Sequence, residues 1–358
     1  MPSDDDDDQK PRLATLLVHG PDSQGIVAAF SQLLYGHGCG IFDSEQSTDR
    51  AANLFFQRIH FDCGMMHTDR ISLEKGISEV CSRFNMTYKL NWGDSKKKIC
   101  IMVSKCKQSR SHVRSCIILF TNLQSYLVLI LSPSSSTDDH CLWELLLRHR
   151  AGELDCEIAL IISNHPDLQP VSDHFNIPFA VFKITKETKE EQEKKEIAMM
   201  VSLYSPHDDC DRLYCIVNST HPFPSTMFYF IQEEHQIDLV VLARYMQIVS
   251  DHFCKTFETR CINIHHSFLP AFMGSKPYHR AHERGVKLIG ATAHYATVEL
   301  DEGPIIEQDI IRISHRDEVS DLLRKGRTLE KNVLINAVKA HVEDRIIVYN
   351  NKCVVFGN

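Results

Sequence analysis

The sequence predicts an α/β protein with an N-terminal ferredoxin-like unit of order βαββαβ, followed by a doubly wound, mostly parallel sheet domain. Three observations lead there. Between Leu13 and Trp92, apolar stripes of strand and helix period alternate in the order strand, helix, strand, strand, helix, strand. After Lys96-Lys97-Lys98, short apolar runs recur between longer polar or amphipathic stretches, the pattern of strands covered on both faces by helices. A chain of 358 residues that is 43% hydrophobic also carries enough apolar material for two ordinary domains.

Residues 1–10 are an acidic tail expected to be disordered, and the first domain is placed at 11–93. Its first helix follows Pro21-Asp22-Ser23-Gln24-Gly25 and has Ile26, Ala29, Phe30, Leu33, Leu34 and His37 on one face. Strands at Ile41–Gln46 and Leu54–Phe61, a helix at Ile71–Arg83 and a strand at Thr87–Leu90 complete the unit. His60, Cys63 and His67 have a spacing that could suit zinc, but no fourth ligand is near, so they read as a strand end and a loop.

The second domain is placed at 97–358, with strands at Ile99–Val103, Ile158–Ser163, Phe179–Ile184, Leu239–Ala243, Ile262–His265, Leu288–Tyr295 and Ile305–Ile311. A helix near Thr328–Val342 and a hairpin turning at Asn350-Asn351 close the chain. The charge run Lys186–Glu196 reads as an exposed helix with Glu/Lys pairs.

Two segments, 106–138 and 201–232, break the pattern: each is about thirty residues long without usable periodicity, and ordered loops of that length are uncommon in a compact domain. Their boundaries can be encoded by splice signals. Cys106-Lys107 fits a donor and Thr137-Asp138 an acceptor, while Val201-Ser202 and Tyr229-Phe230-Ile231-Gln232 fit the second pair. Translated introns are one reading, and surface insertions of this lineage the other.

Composition restricts the function. Lys+Arg at 39 against Asp+Glu at 47 gives a net charge of −8, which offers no general reason to hold a nucleic acid, so a small-molecule substrate is expected. The thirteen cysteines are scattered, form no C-x-x-C pair and follow no signal peptide, which points to free thiols in a reducing compartment. The expected location is the cytoplasm, or an organelle if an N-terminal exon is missing. Ile117–Leu131, the longest apolar stretch, is interrupted by polar residues and too short to span a bilayer, so no membrane association is expected.

Chemistry is concentrated in two stretches. C-I-N-I-H-H-S-F-L-P-A-F-M-G at 261–274 ends an apolar strand, and alternation puts Asn263 and His265 on one side with Ile264 on the other. In an open α/β sheet such a strand end faces the ligand crevice. The residues alone leave three readings open: a metal site using His265 and His266, a base for a nucleophile, or a satisfied turn. G-A-T-A-H-Y-A-T-V-E-L-D-E-G-P-I-I-E-Q at 290–308 runs strand, loop, strand, with Asp301 held in a tight turn by Gly303-Pro304. An amide that donates to an oxyanion, an imidazole that moves a proton and an ionised carboxylate make a workable set for formyl chemistry. His279 and His282 read as a solvated helix face.

N-I-H-H-S-F-L-P-A-F, L-A-R-Y-M-Q-I-V-S (242–250) and the 290–308 stretch, with I-S-N-H-P-D at 162–167, resemble the formyltransferase fold and specifically the formyltetrahydrofolate deformylases. H-G-P-D-S-Q-G-I-V-A-A-F (19–30) and I-F-D-S-E-Q-S-T-D (41–49) resemble the ACT module at the front of that family. The resemblance covers nearly the whole chain outside the two anomalous segments. It implies hydrolysis of 10-formyltetrahydrofolate to tetrahydrofolate and formate, a source of formate for purine synthesis and a balance on one-carbon pools. The catalytic set falls by position on Asn263, His265 and Asp301. The pterin falls to Met246, Gln247, Ile248, Val249, His294 and Thr297, largely through backbone groups. Val298 and Val249 depart from the residues common in the family at those positions. No metal and no cofactor besides the folate substrate are implied, whereas a homo-oligomer and a small amino-acid effector at the ACT module are. Two alternatives stay open: transfer of the formyl group to an amine, or a catalytically dead amino-acid-binding protein. V-S-K and D-H-C-L-W-E-L-L lack the phosphate-binding glycines of the glycinamide ribonucleotide enzymes, and no basic C-terminal domain suited to tRNA is seen, so water is the expected acceptor.

Overall fold

The computed structural model describes residues 12–104, 139–183, 188–201, 237–271 and 276–357. The acidic tail at 1–10, the apolar stretch Ile117–Leu131, and residues 106–138 and 202–232 of the anomalous segments lie outside them. Among the described residues no helix is long and apolar enough to cross a membrane, and the described cysteines are free thiols.

The N-terminal part consists of β1 (Leu13–Pro21), α1 (Ile26–Gly36), β2 (Gly40–Asp49), β3 (Leu54–Asp62), α2 (Arg70–Phe84) and β4 (Thr87–Asn91). The sheet order is β2-β3-β1-β4 with every neighbouring pair antiparallel. Alternation along β1 sends Ala14, Leu16 and Val18 to one face, where Ile26, Phe30 and Leu34 of α1 and Leu73, Ile77 and Cys81 of α2 cover them. Asp69 caps α2 by accepting from Ser72 N, and Asn85 ends it with a left-handed φ of 54°. On the opposite face Leu17 and Phe56 pack against Ile347 and Phe356 near the C-terminus. Asp344 locks the contact, taking Lys97 Nζ at 2.7 Å and Asn91 Nδ2 at 2.6 Å while its carbonyl accepts from Arg58 Nε at 3.1 Å. His60, Cys63 and His67 each bond a separate partner, namely Thr15, the Arg12 carbonyl and the Gly36 carbonyl.

The second part contains a seven-stranded sheet of β5 (Lys97–Val103), β6 (Cys156–Ser163), β7 (Phe179–Val181), β8 (Leu239–Leu242), β9 (Cys261–His265), β10 (Leu288–Tyr295) and β11 (Ile305–Arg312), in the order β11-β10-β9-β8-β5-β6-β7. Strands β9, β8, β5, β6 and β7 run parallel, and β10 and β11 continue the edge by antiparallel pairing. Helices cover both faces, as the alternation of β5 requires. Ile99, Ile101 and Val103 pack with α3 (His140–Arg150), α7 (Pro277–Arg284) and α8 (Val319–Val342). Cys100 and Met102 pack with α5 (Lys189–Val201) and α6 (Asp251–Thr256). The short helix α4 (Gln169–Phe175) precedes β7. Strand order reverses between β5 and β8, and crevices at such points are where open α/β sheets take ligands.

Three expectations change. The last helix starts at Val319 rather than near Thr328, with a Glu318/Asp321 capping box. Gly326, which weakens a helix when read from sequence, is required inside it, because a Cβ there would lie 2.0 Å from the Tyr278 hydroxyl. Of the run at Phe179–Ile184, residues to Val181 form strand and Phe182 and Lys183 do not, while Ile184 lies outside the described residues. Third, the described part of Lys186–Glu196, from residue 188 on, is not a wholly exposed helix: Lys195 does pair with Glu191 at 2.6 Å, but Glu193 and Glu196 are buried, and Lys186 and Glu187 lie outside the described residues. The closing hairpin, β12 (Ile346–Tyr349) and β13 (Lys352–Val355), turns at Asn350 and Asn351, both with positive φ.

Residues on either side of one undescribed stretch are bonded to each other, with Ile237 N donating to Met200 O at 3.1 Å.

Candidate active site

Asn263 and His265 lie at the end of β9, and pairing with β10 puts His294 opposite Asn263 and Thr292 opposite His265. The first pair is bonded through Asn263 Nδ2 and His294 Nε2 at 3.2 Å. His294 Nδ1 faces the Tyr295 carbonyl at 2.9 Å, and a carbonyl only accepts, so Nδ1 carries the proton and Nε2 accepts from the amide. Burial pushes the His294 pKa down, which keeps the ring neutral in that tautomer. The amide of Asn263 is thereby oriented and keeps a second N–H.

Asp301 reaches this cluster from the connection between β10 and β11. Its φ of 61° is left-handed, and it follows Thr297, whose hydroxyl donates to the Glu299 carbonyl at 2.9 Å. The turn comes back close against β10, with Tyr295 N donating to Pro304 O at 2.9 Å. A Cβ at Gly303 would lie 1.8 Å from the Tyr295 carbonyl oxygen, so only glycine lets the two backbones approach. The Asp301 carboxylate then stands 3.2 Å from His265 Nδ1 and 3.9 Å from His294 Nε2. Burial alone pushes its pKa up, but the hydrogen bond from His265 and the neighbouring imidazoles outweigh that, and the carboxyl is held below its ordinary range. An ionised Asp301 fixes the Nδ1–H form of His265. The opposite nitrogen, Nε2, is buried and has no hydrogen-bond partner among the described residues.

The loop behind His265 is held by its neighbours. The Thr292 hydroxyl donates to the Ser267 carbonyl at 2.8 Å and accepts from Leu269 N at 3.1 Å, and Gln308 Nε2 reaches both Thr292 Oγ1 and Leu269 O. His266 stacks on His265 with ring centroids 5.3 Å apart. Burial, then the Arg244 charge, pull its pKa down to about 4, so it packs as a neutral ring.

Below His266 lies a buried polar knot that sequence reasoning missed. Glu330 of α8, 1% exposed, accepts from His140 at 2.8 Å and from the Tyr278 hydroxyl at 2.7 Å, and stands 3.4 Å from the Arg244 guanidinium. Its burial favours the neutral acid, yet Arg244 and His140 hold its pKa down at about 2. His140, Cys141 and Glu330 are close enough to share a cation. Glu330 is, however, already paired with a guanidinium, which would repel a metal at the same carboxylate. These residues come from α3, α7, α8 and the end of β8, and no local spacing in the sequence joins them.

Of the residues expected to hold a substrate, Met246 and Ile248 are 54% and 61% exposed in the segment after β8, with Gln247 and Val249 half-buried beside them. Thr297 is half-buried, and His294 is 2% exposed and stands beside Asn263 on the neighbouring strand. His279 and His282 are exposed on α7.

Residues 222–338 match the model of the formyl transferase family. The chain is 42% identical to the formyltetrahydrofolate deformylase of a Synechocystis species, over 96% of this chain and 98% of that one. It is 40% identical to the protein of the same name from Bacillus subtilis, over 96% and 93% of the two chains. Among solved structures, a formyltetrahydrofolate deformylase from Pseudomonas syringae superposes with a TM-score of 0.76 at 35% identity, covering 98% of this chain and 96% of that one. A glycinamide ribonucleotide transformylase from Symbiobacterium toebii, with a TM-score of 0.51 and 20% identity over 73% of this chain and 95% of that one, shares the fold.

Proposed function

The chain belongs to the formyltetrahydrofolate deformylase family and hydrolyses 10-formyltetrahydrofolate to tetrahydrofolate and formate, and we propose that Asn263, His265 and Asp301 carry that step. The observation that supports this most directly is the state of His265. Asp301 occupies Nδ1, which leaves Nε2 as a buried lone pair with no partner among the described residues, on a strand end where open α/β sheets take ligands. A water seated there gives its proton to Nε2 as its oxygen attacks the formyl carbon, and the Asp301 carboxylate stabilises the imidazolium that forms. The second N–H of Asn263 receives the oxyanion. When the tetrahedral intermediate collapses, the C–N10 bond breaks and the imidazolium returns the proton to N10, so formate and tetrahydrofolate leave with atoms balanced. No step in this sequence calls on a metal or on a cofactor.

Met246, Gln247, Ile248, Val249 and Thr297 are proposed to line the pterin pocket, and His294 to act through Asn263 by fixing its amide. Water is favoured over an amine acceptor by the deformylase names of relatives at this identity. The purified chain given 10-formyltetrahydrofolate should release formate and tetrahydrofolate in equal amounts, and formyl transfer to an added amine without formate release would reject the reading.

The unit from β1 to β4 is proposed to be an ACT module that pairs with a second copy and takes a small amino acid. Its element order supports this, as do the exposed Ile41 and Phe42 on edge strand β2 and a hollow between Gly25 and Gln46. Domain limits at 11–93 and 97–358, and a cytoplasmic location, belong to the same proposal. Sedimentation of the purified protein as a monomer would count against the pairing.

A further inference from the structure

We propose that Glu193 and Glu196 of α5 are positioning residues that hold the segment from Tyr245 to Ser250 at both ends, in the shape that receives the pterin. This rests on the reading of Met246–Val249 as pterin-binding.

The two acids lie three positions apart on one helix face and are 6% and 2% exposed. Glu193 Oε1 accepts from Ser250 N at 2.8 Å, and Glu196 Oε1 accepts from the Tyr245 hydroxyl at 3.3 Å. Ser250 is also the N-cap of α6, its side chain accepting from Phe253 N, so fixing Ser250 fixes where that helix begins. Between the two ends, Met246 N donates to Ser104 Oγ at 2.6 Å, at the point where the strand order reverses. The segment is therefore tied from α5 and from the end of β5, while Met246 and Ile248 stay exposed.

Burying two carboxylic acids is costly, and among the described residues neither makes an ion pair that would offset the cost. A folding role alone would be served better by apolar residues on this face. The groups facing Glu196 are Glu193 on its own helix, Tyr245 on the segment and Cys100 on β5, and Glu193 faces Cys254 of α6. Burial, then the charge of Glu193, push the Glu196 pKa up to about 7. The bond from the Tyr245 hydroxyl works the other way and favours the ionised form, so the segment is held at this end by an acceptor in either state.

Steady-state formate release tests the proposal in the full-length protein. Glu193→Ala should raise KM about tenfold, the loss of one buried hydrogen bond, with kcat within about twofold of wild type. Glu193→Gln keeps an acceptor for Ser250 N and should restore KM. Glu196→Ala should likewise raise KM, and Glu196→Gln, which keeps an acceptor for the Tyr245 hydroxyl, should restore it. An unchanged KM in folded Glu193→Ala or in folded Glu196→Ala overturns the proposal. Should Glu193→Ala fail to fold, the Glu196→Ala and Glu196→Gln pair decides alone. Ile248→Gly separates this inference from its premise through tetrahydrofolate binding. If that variant binds as well as wild type, the pterin reading falls and the inference with it. If it binds weakly while the glutamate variants are silent, only the inference falls.

Discussion

Asn263 and His294 face each other across the β9–β10 ladder and share a hydrogen bond of 3.2 Å, so the amide proposed to receive the oxyanion is oriented by a buried ring. Asn263→Ala removes a donor to charge present only in the transition state. Steady-state kinetics should show kcat lowered by about 3–4 kcal/mol in barrier height, with KM nearly unchanged. His294→Phe keeps the bulk but leaves the amide unoriented, and should lower kcat by about tenfold in the same assay. A rise in KM with kcat preserved in either variant would reject the assignment.

Asp301→Asn cannot hold His265 in its Nδ1–H form or stabilise the imidazolium. The variant should fold, as judged by its circular dichroism, and release formate about 10²–10⁴ times more slowly. His265→Ala should lose turnover to a similar degree while still binding tetrahydrofolate in equilibrium dialysis. Lost binding with turnover preserved would mean that His265 serves the substrate rather than the proton. Protein treated with EDTA should keep its activity, since the proposed steps run through these side chains, and inactivation restored by a divalent metal would reject them.

Glu330 ties α8 to α3, α7 and Arg244, and removing its charge weakens three buried contacts at once. Glu330→Gln should cost about 3–5 kcal/mol in denaturant unfolding. The sign with pH follows from the lowered pKa. The carboxylate's stabilisation is present above its unfolded value of about 4.5 and fades as pH falls toward its folded value of about 2. Wild-type stability should therefore drop more steeply across that acid window than that of Glu330→Gln, and parallel curves would remove Glu330 as the cause.

Gly303→Ala would set a methyl group against the Tyr295 carbonyl and push the Asp301 turn off β10. Activity should fall about tenfold or more through kcat, with a smaller loss of stability in thermal melts. An alanine variant with wild-type kcat would show that the turn tolerates the displacement.

A chain lacking residues 106–138 and 201–232 should fold and release formate. In that chain Ile237 would follow Met200 by five positions, and the observed Ile237 N to Met200 O bond would become the 6→1 bond that closes a helix C-terminus. Sequencing the mature transcript provides a separate test: a message encoding both segments would reject the reading of them as translated introns, and an insoluble or inactive deletion chain would reject their dispensability.

Much of this was open to a reader of the sequence because it depends on local order. Strand and helix periods are set by side-chain direction along the chain, so six N-terminal elements and seven later strands are each legible from a few residues, and the Asn350-Asn351 turn from two. Asn263, His265 and Asp301 stand in dense motifs and could be named. What the chain alone did not determine is which distant residues meet them. His294 becomes the partner of Asn263 only because β10 runs antiparallel beside β9, a register no local pattern encodes. Glu330 meets His140 and Arg244 across three separate elements. Glu193 and Glu196 sit in a run of lysines and glutamates that reads as a solvated face, since charge composition cannot say which side of a helix is turned inward. Burial and proton affinity are properties of the packed surroundings, so they come into being only when the sheet and its helices close.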